Sequence, residues 1–72
     1  MLNNISLNLK APDDVIGNVL VVDDDEIIRA YLESLLVENG YQVSVASGYI
    51  EAKDALSEQQ FDLVICDLVF VK

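Results

Sequence analysis

An apolar run that ends in three consecutive aspartates, Val19-Leu20-Val21-Val22-Asp23-Asp24-Asp25, constrains this chain more than any other feature. A second run, Leu63-Val64-Ile65-Cys66, ends in Asp67. Four-residue runs rich in β-branched side chains suit strands buried on both faces, as in a parallel sheet. Ligands of open parallel sheets gather just beyond the carboxyl ends of the strands. Two neighbouring strands that both finish in aspartate would build a carboxylate pocket suited to a hard divalent cation.

The segments between these runs read as helix, strand, helix. The first strand covers Leu20 to Val22, and Asp24 or Asp25 can cap the helix that follows. Ile28, Leu32, Leu35 and Leu36 fall at i, i+4, i+7 and i+8, which predicts one apolar stripe. Gly40 after Asn39 is a helix stop. Tyr41 to Ala46 alternate as a half-exposed second strand, expected at a sheet edge. Ser47 and Gly48 open a second helix over about Tyr49 to Gln59, with Ala52, Ala55 and Leu56 as its inward face. Phe61 to Cys66 form the third strand. Helix-length segments between strands imply right-handed crossovers and a parallel sheet. Residues 1–17 differ in character and are expected to form a flexible leader. The alternation Ile5, Leu7, Leu9 allows a competing role covering a bare sheet edge.

With 72 residues the chain holds at most one small domain, and a core of this size is marginal without help. Thirteen acidic residues against four basic ones, a net charge of −9 with no histidine, disfavour contact with nucleic acid or anionic lipid. They favour cations or basic partner surfaces. The single cysteine, Cys66, excludes an internal disulfide and is expected to be a buried, reduced core thiol. No apolar stretch is long enough for a membrane helix, and the N-terminus lacks the pattern of a signal peptide, so a cytoplasmic location is the default.

If the first strand lies between the second and third, Asp23, Asp24 and Asp67 surround one cavity. Unit charges about 5 Å apart repel by roughly 3 kcal/mol at an effective dielectric near 20, and a cation relieves that repulsion. Magnesium takes one or two carboxylates, keeps several waters and accepts a phosphate oxygen. A carboxylate beside it can act as a nucleophile toward phosphorus and form an aspartyl phosphate. Asp67, alone at its strand end, is the candidate nucleophile. Asp23 and Asp24 are candidate metal ligands, directly or through water. Asp25 and Glu26 read as turn and cap residues instead.

Val19 to Asp25 with Arg29 downstream, the helix end Glu38-Asn39-Gly40-Tyr41, and Phe61 to Asp67 together resemble the receiver domain of bacterial response regulators. The resemblance spans about Val19 to Leu68. It implies an α/β fold, a doubly wound parallel sheet of flavodoxin or CheY type with strand order 2-1-3 and two helices, here truncated. Residues 1–17 would then be the leader and 18–72 a partial receiver domain. By this resemblance Asp67 matches the phosphoacceptor, charged by a histidine kinase, and Asp23 and Asp24 match the acidic magnesium pair. Val69 matches the position whose backbone carbonyl completes the metal site, to which Asp67 also contributes. The module would not be an enzyme beyond self-catalysed phosphoryl transfer.

The chain departs from the family where Phe70-Val71 stand in place of Met-Pro, and the family's later hydroxyl residue and lysine have no counterpart. Three strands and two helices would leave both sheet faces partly bare and the third strand an unprotected edge. A second reading follows, from a different class. The chain would then be a truncated, non-phosphorylated module for interaction or homo-oligomerisation through that edge. A third is a divalent-metal site without phosphorylation.

Overall fold

The computed structural model describes residues 15–67, so Ile5, Leu7, Leu9 and Val69 lie outside the described residues. Within that range the chain runs β1 (Asn18–Asp23), α1 (Glu26–Glu38), β2 (Gln42–Ala46), α2 (Tyr49–Glu58) and β3 (Leu63–Asp67). All three strands are parallel, in the order β2-β1-β3. Asn18 to Val22 pair with Gln42 to Ala46, and Val19 to Asp23 pair with Leu63 to Asp67. This is the expected doubly wound order, with β2 at an edge.

β1 is central because its sequence tolerates no water on either side: Val19, Leu20, Val21 and Val22 are all buried. Alternation along a strand divides them between the two faces of the sheet. Leu20 and Val22 cluster with Ala46, and Ala52, Ala55 and Phe61 pack against them from the α2 side. The chain reverses its direction of winding between the two crossovers, so right-handed connections put α1 on the opposite face. There α1 packs on β1 and β2.

Local chemistry sets the ends of α1. Asp25 sits in extended backbone, and its carboxylate accepts the N–H groups of Ile27 and Ile28 at 2.9 and 3.2 Å. The choice between Asp24 and Asp25 as cap thus falls to Asp25. At the other end Gly40 has φ of 98°, a left-handed conformation that costs most side chains about 1–2 kcal/mol. This turn lets Gly40 N–H bond Val37 O and Tyr41 N–H bond Leu36 O, both at 3.0 Å, satisfying two final carbonyls.

Just before β1, Ile16 N–H donates to Gly40 O and Gln42 N–H donates to Gly17 O, each at 2.9 Å. Asp62 clamps the start of β3 to β1. Its N–H donates to Asn18 O, and its Oδ2 accepts Asn18 N–H, both at 2.8 Å. A side chain on Gly17 would put its Cβ 3.1 Å from that same oxygen, so the glycine makes room for the clamp.

Three expectations about burial need correction. Ile28 and Leu35 are exposed and only Leu32 and Leu36 are half-buried, because α1 rests on two strands and makes no contact with β3. Leu56 is 52% exposed for the same reason on the α2 side, leaving Ala52 and Ala55 as the inward face. Cys66 is exposed rather than buried. Its strand has a neighbour on one side alone among the described residues, and Leu63 at the start of the same strand is 51% exposed.

Candidate functional site

The sheet brings the two aspartate-tipped strands side by side. Asp23 is the last residue of β1 and Asp67 the last of β3, and they are register partners at the final step of the ladder. Adjacent parallel strands lie about 4.8 Å apart, so the two carboxylates share one end of the sheet. Their environments differ. Asp23 is 3% exposed, whereas Asp67 is open to solvent.

Asp23 is held in place from the loop that follows it. Its Oδ1 accepts the N–H of Asp25 at 2.8 Å, an Asx turn that carries the chain from strand to helix. Its carbonyl oxygen accepts from Arg29 Nη1, also at 2.8 Å. Asp25 in turn is occupied as helix cap, which leaves Asp24 exposed between two fixed neighbours. Glu26 lies in the first helical turn, where a negative charge suits the helix dipole.

Asp23 and Asp67 are therefore brought together, with Asp24 at the rim of the same strand end. Among the described residues no three carboxylate, cysteine or histidine side chains close around a point as a metal cage. Magnesium does not require one, since one or two carboxylates with water and a phosphate oxygen are its usual ligands. A buried and an exposed aspartate at adjacent strand tips fit that demand.

A second feature lies beside this end of the sheet. An open cleft of about 470 Å³ is lined by Arg29, Val45, Ser47, Glu51, Asp54, Ala55 and Glu58. Both the N–H and the hydroxyl of Ser47 donate to Glu51 Oε1, at 2.6 and 2.8 Å. These two bonds hold the Glu51 carboxyl below its usual 4.5, the backbone bond contributing most; slight desolvation opposes them and the Arg29 charge adds a smaller pull. Sequence reasoning missed both the Arg29 bond and the Ser47–Glu51 pair. The second had a visible signal, a hydroxyl residue followed by an acid one turn into the helix.

The response regulator receiver domain matches residues 19–70, more than half of the 72. The chain belongs to the response regulator receiver family. This places the receiver in two-component signalling, whose response regulators in general work with histidine kinases. The receiver is 36% identical over 52 residues to protein PetR of Rhodobacter capsulatus, covering 72% of this chain and 22% of that protein. It is 41% identical over 51 residues to the transcriptional regulatory protein ZraR of Klebsiella oxytoca, covering 71% and 12%. To the response regulator MprA of a Mycobacterium species (strain KMS) it is 39% identical over 51 residues, covering 71% and 22%. The matched region thus spans under a quarter of these relatives. No solved structure gives a significant match to the receiver. No helix among its described residues is long and apolar enough to cross a membrane.

Proposed function

We propose that this receiver is a phosphoacceptor of a two-component relay, taking a phosphoryl group from a histidine kinase onto Asp67. The register pairing of Asp23 with Asp67 is the observation that carries the reading. In the transfer, an Asp67 carboxylate oxygen attacks the phosphorus of a phosphohistidine. An O–P bond forms as the P–N bond breaks, and the electron pair returns to the imidazole nitrogen. Asp67 is exposed, as a nucleophile that must meet a second protein has to be. Asp23, Asp24, Asp67 and the Val69 carbonyl are the residues that would hold magnesium. Bound there, the metal would neutralise charge on the transferring phosphoryl group. The exchange with a kinase sets the location as cytoplasmic, with 1–17 as a leader to the receiver over 18–72.

Incubation with magnesium and acetyl phosphate, read by Phos-tag mobility, tests this. A retarded band that disappears in Asp67→Asn supports the phosphoacceptor. A band that persists in Asp67→Asn sinks the assignment.

The exposed β3 favours one second reading, a non-phosphorylated interaction module that self-associates through that edge. No retarded band, together with a concentration-dependent dimer in ultracentrifugation, would favour it. Magnesium-dependent amide shifts without phosphoryl uptake would instead indicate a metal site alone.

A further inference from the structure

We infer that Arg29 is a positioning residue for the acidic site, acting through the Asp23 carbonyl rather than through its charge. The inference deepens the phosphoacceptor reading and rests on it for its functional consequence. The Asp23–Asp24 peptide is the hinge between β1 and the loop, and two hydrogen bonds meet there. Asp25 N–H fixes the Asp23 side chain from one side, at 2.8 Å. Arg29 Nη1, one helical turn further on, fixes the plane of the peptide itself by bonding its oxygen at 2.8 Å, in a part-buried position. The Arg29 backbone is anchored in the capped first turn of α1, its main-chain N–H donating to Asp25 O at 3.0 Å. With that plane set, the Cα of Asp24 is also set, and the two acids leave the strand in a fixed relation.

Charge and position make opposite demands on a cation site. A guanidinium bonded to the Asp23 carbonyl repels a divalent cation held at the same strand end, so its removal should tighten binding if charge were its main effect. A group that orients ligands from the second layer does the reverse, and losing one costs about 10–100-fold in metal affinity. Lysine separates the two. It retains the charge but ends one bond short of Nη1, and so loses the 2.8 Å bond.

The test titrates magnesium into the full chain and into Arg29→Met and Arg29→Lys, following backbone amide shifts, with metal-free spectra of each. Both variants should bind magnesium about tenfold more weakly or worse, and the Asp24 and Asp25 amides should move even without metal. Unchanged or tighter binding in Arg29→Met, or parental binding and parental amide positions in Arg29→Lys, overturns the inference. If Arg29→Met does not fold, Arg29→Lys decides alone. If the parent chain binds no magnesium, the phosphoacceptor reading has failed separately. The metal-free shifts of Asp24 and Asp25 then still decide whether Arg29 orders this hinge.

Discussion

Asp23 and Asp67 stand opposite each other at the last rung of the β1–β3 ladder, one buried and held by its own loop, the other open to solvent. The asymmetry follows from where each strand lies. β1 is flanked on both edges and covered by helices on both faces, whereas β3 has one strand neighbour and touches neither helix among the described residues. A fixed carboxylate beside an accessible one suits a division of labour between holding a cation and meeting a phosphoryl donor.

The core is small and centred on β1, so its large side chains should dominate stability. Leu20→Ala, at a fully buried position, should cost about 2–5 kcal/mol, enough to unfold much of the population. Leu56→Ala, on the exposed flank of α2, should change stability by under about 0.5 kcal/mol. Urea unfolding followed by circular dichroism measures both.

The Asp62 clamp predicts non-additivity. Asp62→Ala should cost about 0.5–1.5 kcal/mol through loss of the bond from Asn18 N–H. Gly17→Ala should destabilise the parent because its Cβ would crowd Asp62 Oδ2, and should do so less in an Asp62→Ala background. A double-mutant cycle in urea reads the coupling.

Glu51 should give α2 a pH-dependent start. A carboxyl whose pKa is lowered on folding contributes stability above its unfolded value, and that contribution fades as pH falls through the lowered folded value. Since the Ser47 bonds lower Glu51, Glu51→Gln should unfold more readily than the parent at neutral pH. The difference should close as pH is taken below about 4.5, the ordinary value from which Glu51 is depressed. Thermal melts of the pair across this range provide the check.

Cys66 is exposed on β3 and should therefore react with a thiol reagent under native conditions, without denaturant. Labelling that requires urea would show that β3 is covered in solution.

Much of this was legible in the residues. The unbroken Val19 to Val22 run reads as a strand buried on both sides, and it is the central one. Asp25 and Gly40 announce the two ends of α1 in local chemistry, and the helix begins one residue after the first and stops two before the second. What pattern could not supply depends on what lies across the fold. The 28, 32, 35, 36 stripe is wider than the two strands that α1 covers, so its outer members stay wet. An apolar run suggested burial for Cys66, but burial needs neighbours as well as composition. The Asn18–Asp62 bond joins residues 44 apart and has no local signature. Likewise the Arg29 bond to the Asp23 carbonyl depends on a side chain folding back over the loop.

The most direct test of the central claim is to locate the phosphoryl group itself. After acetyl phosphate and magnesium treatment, borohydride reduction converts an aspartyl phosphate to homoserine, and tandem mass spectrometry then identifies the position. Homoserine at residue 67 is the expected result. An unmodified Asp67, or reduction at Asp23 or Asp24 instead, would contradict the account.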